Sequence, residues 1–266
     1  PNLAAGNMLG SNMFNMFMLA VLDMLFRQER ILRRVATHHA LTASLATLLI
    51  GTAAFFILAD IDVSIGWVGA DSLVLLGIYV AGVQQIRSAN SAAAAEPAAE
   101  AELEGVPRLP LALAGFLAAA GVLVLVTPEL VSSSAEIAEM TGLGAGFVGT
   151  TLVALVTSLP ELVTTIAAVR IGAFDLAVGN LFGSNAFNVV TLSLSDFFFT
   201  QGRFLGAVDP AFALVALLGL ILTSMALIGN LARIERRLFL LEADALAILL
   251  VYLGGLWFLY ARGIGG

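Results

Sequence analysis

The sequence predicts an all-α polytopic membrane protein, and three observations carry that expectation. Hydrophobic residues make up 60% of the 266-residue chain and charged residues only 12%, with a mean hydropathy of +1.00; a soluble domain carries about twice that charged fraction. Apolar runs of about 20 residues, the length that crosses a bilayer core, follow one another along the chain. Two of them are interrupted by polar residues, Thr157-Ser158-Leu159-Pro160-Glu161 and Gly183-Ser184-Asn185-Ala186-Phe187-Asn188. A carboxylate, amides and hydroxyls at membrane depth are costly and mark a functional site by default. A transmembrane β-barrel is excluded, because its strands show alternation over about ten residues and a polar lumen face.

In chain order the apolar runs place eight spans at about 3–26, 38–59, 65–86, 109–130, 143–169, 175–199, 208–230 and 241–261. The chain opens on Pro1-Asn2 with no charged-then-apolar signal pattern and enters a membrane segment at once, the expectation for an N-terminally truncated chain. Between the third and fourth spans, Arg87–Arg108 is rich in Ala, Glu, Pro and Ser and lacks aromatic residues. That is the composition of a flexible acidic linker; a tether between two halves and a regulatory ion-binding loop are both compatible with it. The chain thus divides into 1–86, the linker 87–108, and 109–266.

There are no cysteines, so disulfides and thiolate metal sites are excluded. All twelve basic residues are arginine. Alternating the connections between two sides puts Arg27, Arg30, Arg33, Arg34, Arg87, Arg108, Arg170, Arg233, Arg236 and Arg237 together, and leaves only Arg203 and Arg262 opposite. Positive charge marks the cytoplasmic side, so loops 27–37, 87–108, 170–175 and 231–240 are expected there. Asp60, Asp62, Asp71, Glu129, Glu136, Glu139 and Asp209 then make the outward side acidic. Part of the acidic charge sits in one loop, and the net charge of −7 says little about a partner.

Leu3–Phe26 and Leu176–Phe199 are two copies of one pattern at an offset of 173, identical at half of their positions. The shared residues include Gly6/Gly179, Asn7/Asn180, Gly10/Gly183, Ser11/Ser184, Asn12/Asn185, Phe14/Phe187, Asn15/Asn188 and Asp23/Asp196. Chance similarity between apolar helices matches Leu and Ala, not Asn, Ser and Gly. On the sidedness above, the copies cross in opposite directions. Inverted repeats meeting at the midplane, with irregular helices at their interface, are a construction principle of secondary transporters. The second copy is preceded by the Thr-Ser-Leu-Pro-Glu helix; a matching element for the first copy would need two further spans before Pro1, ten in all.

The chemistry of the interruptions fits a hard cation. Thr157 and Ser158 lie four and three residues from Glu161, a spacing that gathers side chains on one helical face, and Ser184 and Asn188 are again four apart. Pro160 lacks an N–H and loosens the helix at the carbonyl of Val156. Carboxylate, amide, hydroxyl and backbone carbonyl oxygens are the ligands of Ca²⁺ and Na⁺; the absence of Cys and of nearby His argues against zinc, copper and iron. A buried structural hydrogen bond is the alternative role for Glu161. The paired glycines suit close helix packing, and Asn7, Asn12, Asn180 and Asn185 suit hydrogen bonds to neighbouring broken helices. Asp175 reads as a helix N-cap. Asp23 and Asp196 suit an access path or an interfacial charge equally, and His38 and His39 an interface.

These residues resemble the cation/calcium antiporter superfamily, which includes the sodium/calcium exchangers. Its two α-repeats each combine a G-T-S-x-P-E-type element with a G-N-x-x-G-S-N-x-x-[N/D] element. This chain shows the second repeat from Gly149 to Asn188 and the latter part of the first from Gly6 to Asn15. The resemblance implies a non-enzymatic antiporter exchanging Ca²⁺ against Na⁺ or H⁺ by alternating access, in a prokaryotic plasma membrane, with inorganic cations and the bilayer as partners and neither a cofactor nor nucleic acid. The ligand positions it carries over are Thr157, Ser158, Glu161, Ser184, Asn188, Ser11, Asn15 and the carbonyl of Ala154. It also implies sliding of the family's two outermost helices, the first lying before Pro1 and the sixth present here with 143–169 beside 109–130. The first-repeat glutamate has no counterpart in the chain, and Asn188 stands where some relatives carry Asp. A non-transporting scaffold and a cation channel are the rival readings.

Overall fold

The computed structural model describes residues 1–26, 38–93, 109–232, 237–238 and 241–264. Helices stand wherever an apolar run was expected: α1 Asn2–Leu25, α2 His38–Ala59, α3 Ala70–Ala93, α4 Leu109–Thr141, α5 Ala145–Thr157, α6 Leu159–Arg170, α7 Phe174–Phe198, α8 Phe212–Ala232 and α9 Ala243–Ala261. Among the described residues, five of these (α1, α2, α4, α8 and α9) are long and apolar enough to cross a membrane, and the bent pair α5–α6 makes six. Helices α3 and α7 have the length but carry too many polar residues to meet the same apolarity, so five or six of the described helices, not the expected eight, meet it. Two-stranded hairpins, β1 Ser64–Ile65 with β2 Val68–Gly69 and β3 Arg237–Leu238 with β4 Leu241–Glu242, interrupt the all-helical plan.

Two expected boundaries move. The third span does not begin at 65, where the β1–β2 hairpin lies; its helix starts at Ala70 and runs on to Ala93, so the first residues of the expected linker are helical. The rest of that linker, 94–108, lies outside the described residues, as do Arg27, Arg30, Arg33, Arg34, Arg108, Arg233 and Arg236, on which the sidedness expectation leaned.

The run expected at 143–169 is broken. Gly149–Val153 forms a π-helical turn within α5, a distortion often found at functional sites. At Ser158 (φ −93°, ψ 4°) the chain leaves helical geometry and turns by 41° into α6. Pro160 sits in the first turn of α6, where its missing N–H costs nothing.

Helix α1 is the centre of the bundle, packing on α5, α7, α8 and α9. Leu9, Met13, Met16 and Leu19 on α1 are fully buried together with Phe182 of α7 and Phe212 of α8. The offset of 173 reaches far beyond the repeated motif. Subtracting it from α8 (212–232) gives 39–59, the span of α2, and subtracting it from β3, β4 and the start of α9 gives β1, β2 and the start of α3. Packing follows the same rule: α1 lies on α8 and α9 as α7 lies on α2 and α3. Gly82 closes on Leu45 as Gly255 closes on Leu218. The chain is therefore built from two copies of a helix–helix–hairpin–helix unit, with α4, α5 and α6 before the second.

Helix α4 stands apart. Its substantial contacts are to α5, and with it Ala138, Val148 and Val153 form a small cluster separate from the main core. Most of its side chains are exposed, as in a lipid-facing helix.

At the end of the bundle where α2–α3 and α7–α8 connect, a buried arginine joins the two units. Arg203 Nη1 donates to Asp71 Oδ2 at 2.7 Å, Nη2 to Asp60 Oδ1 at 2.6 Å, and Nε to Asp62 Oδ1 at 3.4 Å. Burial works against the guanidinium charge, but the hydrogen bond to Asp60 and the charge of Asp71 outweigh it and hold its pKa above the ordinary arginine value. Nearby, Asp196 accepts from the backbone N–H of Gly69 and of Phe204, both at 2.7 Å. It is fully buried and staples two loops, which corrects both expectations for it, an access path and an interfacial charge. Asp60 and Asp62 are exposed, so their pairs contribute little; Asp71 is buried, and its pairing decides the effect. Arg203→Met is expected to cost about 3–5 kcal/mol by stranding Asp71, seen as a lower Tm in detergent. Asp71→Leu together with Arg203→Met should cost less than Arg203→Met alone.

Candidate functional site

The break between α5 and α6 opens beside α1 and α7 onto a cavity of 620 Å³. Ser11, Thr157, Ser158, Glu161 and Asn188 line it together, with Asn7 and Thr191 as further polar groups. The opposite wall is apolar, formed by Leu123, Val126 and Leu130 of α4 around Thr127. Residues far apart in sequence are thus gathered on one cavity, and Glu161 is its only carboxylate among the described residues.

Glu161 is half-buried. Its Oε1 lies 3.5 Å from Ser184 Oγ, a long contact, while Oε2 is buried without a hydrogen-bond partner among the described residues. A buried carboxylate oxygen left unpaired costs free energy in a folded protein, so Glu161 is poorly explained as a structural hydrogen bond. Thr157 Oγ1 lies 2.7 Å from Asn7 Oδ1 and 2.9 Å from Val153 O; its single hydrogen serves one at a time. Ser11 Oγ reaches the carbonyl of Ala154 at 3.5 Å, and that carbonyl also accepts from Ser158 N at 3.1 Å. Among the described residues no group of three or more His, Cys, Asp or Glu side chains is placed to hold a metal. The donor set is one carboxylate among neutral oxygens.

The repeated asparagines cross-link the copies. Asn15 Nδ2 donates to Asn185 Oδ1 at 2.9 Å, and Asn188 Nδ2 donates to Asn12 Oδ1 at 2.9 Å. Adding 173 to Asn15 gives Asn188 and subtracting it from Asn185 gives Asn12, so the pairing exchanges the copies. Asn180 holds α6 to α7 by donating to Thr164 Oγ1 and Thr165 Oγ1. Such bonds contribute only about 0.6 kcal/mol each between membrane helices, so their main effect is to fix orientation.

The glycines divide. A Cβ on Gly6 would lie 2.7 Å from Gly146 O, and one on Gly10 would lie 2.7 Å from Thr150 Cα; both let α1 approach the π-helical turn of α5. Gly179 gives room to the His39 ring instead, and among the described residues no atom lies within 4 Å of such a Cβ on Gly183. Close packing, expected of all four, holds for three. Asp175 does not cap α7, whose N-cap is Ala173; it lies in the first turn, 3.4 Å from His39 Nε2. Thr223 of α8, which accepts from Asn185 Nδ2 at 3.2 Å, escaped sequence reading because no polar cluster surrounds it in the chain. Its signal was the Thr223-Ser224 pair in an otherwise apolar stretch of helix.

A family model for sodium/calcium exchanger proteins matches residues 1–83 and 111–261, most of the chain. The chain belongs to the sodium/calcium exchanger family. It is therefore an integral membrane protein of a family of cation antiporters, which are transporters rather than enzymes. The chain is 30% identical over 221 residues to the inner membrane protein YrbG of Escherichia coli K12, covering 79% of this chain and 62% of YrbG. It is 44% identical over 78 residues to the sodium/calcium exchanger MaX1 of Methanosarcina acetivorans, covering 29% of this chain and 22% of MaX1. It thus spans less than two thirds of the length of these relatives. No solved structure matches it.

Proposed function

We propose that the protein is a secondary active antiporter that exchanges Ca²⁺ against Na⁺ or H⁺ by alternating access. The observation that carries this reading is Glu161: a cavity-lining carboxylate with a buried oxygen that has no partner among the described residues, sharing the cavity with Ser11, Thr157, Ser158 and Asn188 and lying 3.5 Å from Ser184 Oγ. Hard cations take such oxygens. Together with Asn15 and the Ala154 carbonyl, neither of which lines the cavity, these residues form the cation site on this reading, and competing Na⁺ or protons use overlapping oxygens.

The two structural units lie inverted with respect to the membrane, with loops 27–37, 87–108, 170–175 and 231–240 cytoplasmic, as the arginine distribution supports. The mostly exposed α4, whose substantial contacts are to α5, frames the mobile side of the cavity, and the packed core around α1 frames the fixed side. This assignment rests on the family analogy.

The test is Ca²⁺ uptake into vesicles containing the protein. An antiporter takes up Ca²⁺ only against an outward Na⁺ or H⁺ gradient, and comparing the two gradients names the coupling ion. Uptake that proceeds without either gradient would mark a channel, and no uptake under any gradient would mark a scaffold; each would overturn the proposal.

A further inference from the structure

Which atom an asparagine shows to a cation depends on what holds its other end. The amide NH₂ carries partial positive charge and repels a cation, whereas the oxygen binds it. For Asn15 the choice is made by a chain of hydrogen bonds that ends far from the repeated motif. Thr223 Oγ1 donates its only hydrogen to Gly219 O at 2.7 Å, so towards Asn185 it can only accept. The backbone carbonyl of Asn12, 3.3 Å from Asn185 Nδ2, can likewise only accept. Asn185 must therefore turn its NH₂ to these two and its oxygen to Asn15. Asn15 must then spend its NH₂ on Asn185, and its Oδ1 is left buried without a partner among the described residues. Thr223, Asn185, Asn12 and Asn15 are all buried, so water does not scramble the order.

The other copy lacks this relay. The offset of 173 maps Thr223 onto Ile50, which has no hydroxyl, and Asn12 Nδ2 has no partner among the described residues. The Asn12–Asn188 bond is thus not oriented from behind in the same way.

We propose that Thr223 is a positioning residue of the cation site: acting through Asn185, it holds the Asn15 amide with its oxygen towards the cation. This rests on the reading of Asn15 as a ligand. It makes the two repeat asparagines unequal, Asn15 fixed as an oxygen donor and Asn188 less constrained.

The test measures Ca²⁺ affinity of the full-length protein as the Ca²⁺ concentration giving half of the ligand-induced rise in Tm, with the Ca²⁺-free Tm recorded beside it. Thr223→Val keeps the shape and removes the acceptor, and it should weaken Ca²⁺ about fivefold. Thr223→Ser, which restores the hydroxyl, should return affinity to within about twofold. In an Asn15→Asp background, where no NH₂ can be misplaced, Thr223→Val should change affinity by less than about twofold. An equal loss in both backgrounds, or no loss in either, overturns the proposal, as does a Thr223→Ser protein as weak as Thr223→Val. Should Thr223→Val not fold, Thr223→Cys, whose sulfur accepts weakly, is read by the same criteria. A Glu161→Gln protein that binds Ca²⁺ normally would instead overturn the site reading itself; loss of binding in Glu161→Gln with no effect of Thr223→Val overturns the relay alone.

Discussion

Glu161→Gln is expected to reduce gradient-driven Ca²⁺ uptake to the level of empty vesicles while leaving the fold intact or slightly more stable. The two halves of this expectation have different causes. Gln keeps the size of the side chain and the Oε1 contact with Ser184, so packing is unchanged. What disappears is the only carboxylate among the described residues that line the cavity. One unit charge facing another at about 4 Å is worth about 4 kcal/mol at the effective dielectric of a partly buried site, and a divalent ion feels twice that before its own desolvation is counted. A loss of at least about three orders of magnitude in affinity follows. Stability moves the other way, because Oε2 is buried without a partner among the described residues and neutralising it relieves up to about 1–3 kcal/mol. A structural glutamate would show the opposite pair: retained uptake and a lower Tm. Retained uptake alone would refute the site assignment, and Glu161→Asp, which keeps the charge at a shorter reach, should retain a measurable fraction.

Much of the molecule was legible in the chain because membrane helices are written in long apolar runs, and the described helix α2 coincides with its expected span of 38–59. The polar breaks were legible for the converse reason: Thr157, Ser158, Glu161 and Asn188 are conspicuous in apolar surroundings, and they do line one cavity. What escaped depends on geometry that composition does not encode. The π-helical turn at Gly149–Val153 has an ordinary apolar sequence and shows only in how closely α1 approaches it. Repetition beyond Phe26 went unseen because α2 and α8 share length and packing more than residues, although Ala70-Asp71 and Ala243-Asp244 open corresponding helices. The roles of Asp196 and Arg203 were not legible because their burial depends on partners over 100 positions away, Gly69 for the first and Asp71 for the second.

Gly10→Ala should be the most damaging small substitution in the described core. Its Cβ would lie 2.7 Å from Thr150 Cα and 2.8 Å from Thr150 C, with Thr150 O closer still. All three are backbone atoms of the π-helical turn, so no side chain can rotate aside and α1 itself must withdraw. Overpacking of this kind costs about 1–3 kcal/mol, whereas Gly→Ala at an open helical position gains about 0.5–1 kcal/mol. Gly77→Ala, with nothing within 4 Å, supplies that comparison. The predicted result is a Tm lowered by about 5 °C for Gly10→Ala and unchanged or raised for Gly77→Ala. Function should suffer with it, since withdrawing α1 from α5 separates Ser11 from the Ala154 carbonyl and Asn7 from Thr157, loosening the cavity wall that faces Glu161. Half-saturating Ca²⁺ should therefore rise in Gly10→Ala as well. A Gly10→Ala protein that melts with Gly77→Ala and transports normally would mean that α1 and the π-helical turn do not depend on each other, and that the close approach of the two helices is not what shapes the site.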